Sequence, residues 1–268
     1  MKKAFDFYIN SSFHVAFAVY ALVQVTYFTV HQKPDFTLSA FAFLGTISSY
    51  NFIKYYPFFC SFNQNKSRSL WAIFAISIIV LVPELYFFEK LKIHTQLLAC
   101  FILIIIIFYA LPIFLNRKNV RNWAGIKIYI VGLSWVGVSV GLPLLNCESV
   151  ILNYFWVYCF QCFILVYVLM LSFEIIDLPY DSPFLKTIPQ KIGVEQTKKI
   201  GYRLLLLYLI LVVCVRMKDE KYNFVPAIIV CCTTAVALYF SNETKSKYYT
   251  HFWVESIPIL FWLLHLIS

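Results

Sequence analysis

The sequence predicts an all-α, polytopic membrane protein with about nine transmembrane helices, and its composition is the first reason. Of its 268 residues, 61% are hydrophobic and only 13% are charged, and the mean hydropathy is +0.76. An average soluble domain is about 45–50% apolar and about 25% charged. So few charges cannot cover the surface of a soluble protein of this length. The composition therefore excludes an ordinary soluble enzyme, a disordered chain and a secreted disulfide scaffold.

Long apolar stretches are the second reason, because a helix needs about 20 apolar residues to cross a hydrocarbon core about 30 Å thick. Nine such stretches follow one another along the chain, and the second and seventh are the shortest. The connections between them are short, so residues 1–268 are predicted to form a single transmembrane domain. The predicted spans are Ser11–Val30, Thr37–Phe52, Leu70–Phe88, Thr95–Leu115, Ala124–Leu144, Ser149–Ile176, Gly201–Val215, Val225–Phe240 and His251–Ile267.

The distribution of basic residues is the third reason, because short cytoplasmic loops carry an excess of Lys and Arg. With nine spans and a cytoplasmic N-terminus, 16 of the 22 Lys and Arg residues lie on the cytoplasmic side. The other six are Lys33, Lys90, Lys92, Arg216, Lys218 and Lys221. This bias predicts an integral protein of a bacterial inner membrane with its C-terminus outside. It also explains the formal charge of +9 without nucleic-acid binding.

Charged residues at membrane depth are costly and therefore mark candidate functional positions. The strongest group is at the end of the sixth predicted span, where Glu174 and Asp177 share a helix face and Asp181 follows in the loop. Three neighbouring carboxylates repel one another unless cations attend them. Those cations are either a hard divalent ion such as Mg²⁺ or nearby basic residues, which are Lys186, Lys191 and Arg203. The alternative is a solvated loop that balances its own charges.

The stretch from Glu174 to Gly193 resembles the second aspartate-rich motif of the UbiA superfamily of intramembrane prenyltransferases. That motif has three acidic positions in the pattern D-x-x-D-x-x-x-D, followed by Lys/Arg-Thr-hydrophobic-Pro and a glycine. Glu174, Asp177 and Asp181 take the acidic positions, and Lys186–Pro189 and Gly193 supply the rest. The predicted nine spans also agree with a UbiA-like bundle.

The resemblance implies a transferase that moves a polyprenyl group from its diphosphate to a lipophilic acceptor, either aromatic or isoprenoid. In that family, acidic motifs hold Mg²⁺ against the diphosphate, and the metal offsets charge on the leaving group. The resemblance therefore implies that Asp177 and Asp181 are catalytic and that they bind Mg²⁺ together with Glu174, as one cluster. The implied partners are a polyprenyl diphosphate, the acceptor, membrane lipids and other membrane proteins. Lys186, Lys191 and Arg203 are predicted to bind the substrate.

The first acidic motif of the family is not matched. At the end of the second span Asn51 matches the family asparagine, but Phe52, Tyr55 and Phe59 stand where carboxylates are expected. Lys54 adds a positive charge instead. One hypothesis is that Lys54 pairs directly with a phosphate, with Asn51 in the same substrate-binding site. The alternative is a catalytically degenerate protein that binds an isoprenoid lipid or serves as a subunit of a membrane assembly.

Three further charges lie in or near predicted spans. Lys127 is at the start of the fifth span, where it either reaches a diphosphate or extends to the membrane interface. Glu84 follows Pro83 near the end of the third span, and we expect a structural role for it. Glu255 lies one turn into the last span, and we expect it to pair with a basic residue such as Lys127 or Arg203.

Overall fold

The computed structural model describes residues 2–60, 68–111, 125–147 and 155–267, and within these ranges its regular secondary structure is helical. Seven helices are long and apolar enough to cross a membrane. Counting the bent helix pair at the N-terminus as one span gives eight, and one apolar helix of 16 residues is shorter. The helices are α1 (Lys2–Asn10), α2 (Phe13–Thr29), α3 (Phe36–Cys60), α4 (Arg68–Glu89), α5 (Ile93–Ala110), α6 (Lys127–Asn146), α7 (Phe155–Asp177), α8 (Ile188–Lys218), α9 (Val225–Phe240) and α10 (Tyr249–Ile267).

These helices match the prediction of an all-α membrane protein with about nine spans. The first predicted span, Ser11–Val30, corresponds to α2, and the helix α1 that precedes it meets α2 at an angle of 53°. Ser12 at the bend has a left-handed backbone (φ 64°), and the Ser11 hydroxyl donates a hydrogen bond to the Phe7 carbonyl at 2.6 Å. The buried Ser11 and Ser12 therefore separate α1 from the first span, at the position where that span was predicted to begin.

The seventh predicted span, Gly201–Val215, is shorter than the observed helix α8, which begins at Ile188. The helix starts where the Thr187 N–H donates to the Gln190 side chain at 3.0 Å. Its backbone leaves the helical region at Gly193 (φ 79°), and the segment that continues from there carries charged residues. Hydropathy detects only the apolar part, so it misses the polar turns at the membrane surface.

Helix α7 lies at the centre of the bundle and α4 lies at its periphery, since α7 is the most buried of the long spans and α4 the least. Val168, Leu171 and Ile175 of α7 are fully buried in the main core. Large apolar side chains of α4, such as Ile79 and Val82, remain exposed. We expect lipid to cover them in the membrane, because a membrane protein needs no polar surface at that depth.

Close packing of α8 against α9 depends on Gly201. A Cβ atom at this position would stand 2.3 Å from Cδ2 of Leu238. We expect Gly201→Ala to lower the free energy of unfolding by about 1–3 kcal/mol, the usual cost of overpacking a core. The midpoint of thermal unfolding in mild detergent measures this. Combining the change with Leu238→Ala should recover part of the loss, and an unchanged midpoint for Gly201→Ala alone would contradict the packing.

Candidate functional site

A cavity of about 430 Å³ opens at one end of the bundle, which we call the mouth cavity. The helices bring together residues that are distant in the sequence, from the end of α3, the start of α6, the end of α7 and the start of α10. Because successive spans alternate in direction, these four helix ends lie at the same end of the bundle. The charged and titratable side chains of its lining are Lys54, Lys127, Asp177, Lys247, His251 and Glu255.

Lys54 lies on the face of α3 that borders this cavity. Its Nζ donates a hydrogen bond to Ser12 Oγ at 3.2 Å and stands 6.0 Å from the ring centroid of Tyr50, one turn earlier in the helix. The carboxylate that acts electrostatically on Lys54 is that of Glu255. A partly buried ammonium group with one neutral hydroxyl partner and a cavity in front of it can accept an anionic ligand.

Glu255 pairs with a basic residue of its own helix, His251, rather than with the Arg203 or Lys127 named as examples from the sequence. His251 Nδ1 lies 3.8 Å from Glu255 Oε1, one turn apart in α10. This part of α10 is a π-helical turn, in which the Glu255 N–H donates to the Thr250 carbonyl at 3.1 Å. Arg203 is exposed on α8 and lies outside the lining of the mouth cavity.

The mouth cavity borders a second cavity of about 250 Å³, which lies farther along α3 and is lined mainly by α3, α4, α5 and α6; we call it the inner cavity. Tyr50, Ser134 and Trp135 line both. The Trp135 indole N–H donates to the Tyr50 hydroxyl oxygen at 2.6 Å, which fixes both rings at the junction. Most other residues of the inner cavity are apolar, so the two cavities together have a charged end and an apolar end.

The three carboxylates of the predicted acidic motif have different environments. Asp177 lines the mouth cavity. Glu174 is only 1% exposed, and its Oε2 accepts a hydrogen bond from the Ile188 N–H at 3.1 Å, at the start of α8. Asp181 follows in the turn after α7, where its N–H donates to the Asp177 carbonyl at 2.9 Å. Within the described ranges, no group of three His, Cys, Asp or Glu side chains is arranged to hold a metal ion.

Glu174 therefore has a structural role that the sequence pattern did not predict, as an acceptor at the N-terminus of α8. A carboxylate there compensates a free backbone N–H and interacts favourably with the helix dipole. We expect Glu174→Ala to lower the free energy of unfolding by about 1–2 kcal/mol. Glu174→Gln keeps an acceptor oxygen and should lose less. Equal thermal midpoints for Glu174→Ala and the unchanged protein would contradict this role.

The other predicted substrate-binding residues lie outside the lining of the mouth cavity. Asn51 is 3% exposed, and its Nδ2 donates to Ser77 Oγ of α4 at 3.0 Å. Lys186 and Lys191 are exposed, and Lys191 lies near Gly125 at the start of α6. Of the sequence-derived site residues, the structure brings Lys54, Lys127 and Asp177 together at this cavity and leaves Asn51, Lys186, Lys191 and Arg203 apart from it.

Lys247 and His251 border the mouth cavity, and the sequence analysis did not select either of them. Both lie at or just before the start of the last span, 66 and 70 residues after Asp181. The predicted topology contained the necessary signal, because it placed Lys247 on the same side of the membrane as Lys54 and Lys127. Lys247 Nζ also stands 4.2 Å from the ring centroid of Tyr180, which lies between Asp177 and Asp181 of the acidic motif.

Comparison with known proteins gives a consistent result only at the level of structure. No protein-family model and no curated protein matches the sequence. Three solved structures match at a TM-score of 0.63 each. A digeranylgeranylglyceryl phosphate synthase is 12% identical and covers 100% of this chain and 98% of its own. An apo UbiA homologue from Aeropyrum pernix K1 is 12% identical, with 95% and 97% covered.

The third structure is a UbiA homologue from Archaeoglobus fulgidus bound to GPP and Mg²⁺. It is 15% identical, and the match covers 97% of this chain and 98% of its own. At such low identities the likeness concerns the path of the backbone through the membrane rather than individual side chains. It extends over nearly the whole of every chain compared. This protein is therefore an integral membrane protein with the UbiA fold.

Proposed function

We propose that the protein binds a polyprenyl diphosphate in the mouth cavity and transfers its prenyl group to a lipophilic acceptor, either aromatic or isoprenoid. The observation that carries the proposal is that Lys54, Lys127 and Lys247 border one cavity that continues into an apolar interior. Several positive charges stabilise a bound diphosphate group, and an apolar channel accommodates a prenyl chain. Structures of the Archaeoglobus fulgidus homologue bound to GPP or DMAPP with Mg²⁺ support this class of ligand.

The side chains do not fit the Mg²⁺ that accompanies the ligand in that homologue. Glu174 already accepts a hydrogen bond from the backbone at the start of α8. The described residues contain no group of three metal-binding side chains. Tyr55 lines the mouth cavity in place of an acid of the first motif, and its hydroxyl donates to the Asn10 carbonyl at 2.9 Å. Mg²⁺ binding by Glu174, Asp177 and Asp181 stays a prediction, and the proposed mechanism does not depend on it.

In the proposed mechanism the lysines, rather than a metal ion, stabilise the negative charge of the leaving diphosphate. The bond between the allylic carbon and the diphosphate oxygen breaks, and the diphosphate leaves with the electron pair. Lys54, Lys127 and Lys247 offset the charge that develops on it. The rings of Tyr50 and Trp135, at the junction of the two cavities, face the allylic cation and stabilise it. The acceptor then supplies the electron pair for the new bond and releases a proton.

A second candidate function is a non-catalytic isoprenoid-binding protein. The observation in its favour is the aromatic residue Tyr55 at the mouth, where the family motif has a carboxylate. Such a protein would bind the diphosphate without turnover. In either case we infer that the mouth cavity faces the cytoplasm, because the basic side of the predicted topology carries all three of its lysines.

Isothermal titration of the detergent-purified protein with the thiolo analogue of geranylgeranyl diphosphate tests the proposal. Binding in EDTA is expected. Binding that requires Mg²⁺ would overturn the metal-independent mechanism, and no binding across a series of chain lengths would overturn the proposal itself. Incubation of radiolabelled geranylgeranyl diphosphate with the protein and a membrane lipid extract then separates the two candidates. A labelled lipid product indicates a transferase, and binding without product indicates the non-catalytic protein.

A further inference from the structure

Glu84 places an acidic side chain in the inner cavity, far from the charged mouth. It belongs to α4, five residues before the end of that helix, and it lines the cavity together with Gly45 and Thr46 of α3. Its Oε2 accepts a hydrogen bond from the Ser48 hydroxyl at 2.8 Å. Within the described part of the chain, no Lys, Arg or His forms an ion pair with it. A carboxyl group at membrane depth with so little compensation is expensive and calls for a functional explanation.

The second oxygen of this carboxyl group is available to a ligand. Glu84 Oε1 has no hydrogen-bond partner among the described residues, and it stands 3.2 Å from the place that a Cβ atom at position 45 would occupy. Gly45 therefore leaves room for the carboxyl group between α3 and α4. Any side chain at this position would press against it.

A second polar group of the same cavity also lacks a partner. Ser134 Oγ on α6 is buried, and no hydrogen bond to it is present among the described residues. Ser134 lines both cavities, so its hydroxyl lies along the route between the mouth and Glu84. Buried polar groups without partners are rare in proteins, and a ligand that supplies the missing hydrogen bonds removes their cost.

The position of Glu84 also argues against a plain hydrocarbon tail in the part of the cavity beside Gly45, so a prenyl chain that enters from the mouth occupies the remaining apolar part. Gly45 and Ser48 precede Lys54 by nine and six residues on α3, which corresponds to about 9–14 Å along the helix at 1.5 Å per residue. An alkyl chain at this depth would cover the free oxygen of Glu84 without offering it a hydrogen bond. That loss of hydration is costly for a carboxyl group.

We propose that the inner cavity binds a lipophilic hydroxyl compound whose O–H group donates a hydrogen bond to Glu84 Oε1. A hydroxyl suits the site better than an ammonium group, because a cation would have to lose its hydration in a largely apolar cavity. The identification of this compound as the prenyl acceptor rests on the proposed function. The binding site itself does not, since it stands on Glu84, Ser48, Gly45 and Ser134.

Competition binding to the protein in lipid nanodiscs tests this inference with a matched pair of probes. Radiolabelled 4-nonylphenol is displaced either by unlabelled 4-nonylphenol or by nonylbenzene, which lacks only the hydroxyl. The phenol is expected to compete about 10-fold or more better than the hydrocarbon, as one hydrogen bond to a charged group implies. Glu84→Leu should reduce this advantage to about one, and Glu84→Gln should keep part of it. Equal competition by the two compounds, or an advantage that survives Glu84→Leu, would overturn the inference.

Glu89 provides the matched control, because it ends the same helix and is exposed outside the inner cavity. Glu89→Leu should leave the phenol preference unchanged. Titration of the same samples with the thiolo diphosphate separates the two proposals. If the unchanged protein does not bind the thiolo diphosphate but still prefers the phenol, only the proposed function is refuted. If the protein binds the thiolo diphosphate but shows no preference for the phenol, only the hydroxyl site is refuted.

Discussion

Replacing Lys54 with methionine is expected to weaken binding of the geranylgeranyl thiolo diphosphate by about 10- to 150-fold, the equivalent of 1.5–3 kcal/mol for a hydrogen bond to a charged group. Methionine keeps much of the length of the side chain but removes its charge. The effect should be large because, among the described residues, the Lys54 ammonium group donates a hydrogen bond only to the Ser12 hydroxyl, at 3.2 Å. The ammonium group therefore loses few interactions when it binds a phosphate instead. Isothermal titration in EDTA measures the change directly.

Lys191→Met is the matched control for this prediction. Lys191 belongs to the sequence motif that resembles the UbiA family, yet its side chain is exposed and lies outside the lining of the mouth cavity. Its replacement should change affinity by less than about threefold, as expected for an exposed charge screened by water and salt. Lys54→Arg should retain most of the affinity. Equal losses in Lys54→Met and Lys191→Met would show that the loop after α7, and not the mouth cavity, holds the diphosphate.

The helices were predictable because the membrane imposes a simple length and composition on each span. Val225–Phe240 has the predicted bounds, since polar or turn-forming residues flank an uninterrupted apolar stretch at both ends. The errors are local and have local causes. The helix α1 before Ser12 was not predicted, because Lys2, Lys3 and Asp6 interrupt its apolar pattern, and the early start of α8 follows from a capping interaction in a polar segment.

The site was only partly predictable, because sequence spacing cannot show which side chains meet across the bundle. Asp177 and Lys127 lie at the ends of spans, and topology alone places them on the same side. Asn51 was selected by its position in a family pattern, but in the structure its amide faces Ser77 of the neighbouring helix α4. Glu84 was expected to be structural because it lies near a proline at the end of a span. Only packing shows that it borders a cavity.

Introducing a carboxylate into the mouth cavity, where the family motif has one, tests how this site differs from the family pattern. Tyr55 lines the mouth cavity, whereas Phe52 lies outside its lining and packs against Tyr56 at a centroid distance of 5.3 Å. Tyr55→Asp should lower diphosphate affinity in EDTA by about 10-fold, because one new carboxylate repels the ligand at short range. Millimolar Mg²⁺ should recover that affinity if the new carboxylate and Asp177 share a metal with the diphosphate oxygens.

Phe52→Asp is the control for this last prediction, since it introduces the same charge on the same helix outside the cavity lining. It should change neither the affinity in EDTA nor the response to Mg²⁺ by more than about threefold, because water and salt screen a charge at that distance. If Phe52→Asp gains Mg²⁺ dependence and Tyr55→Asp does not, then α3 is rotated relative to the described packing. If the unchanged protein already needs Mg²⁺, then Asp177 binds metal without help from the second span, and the lysines assist a metal rather than replace it.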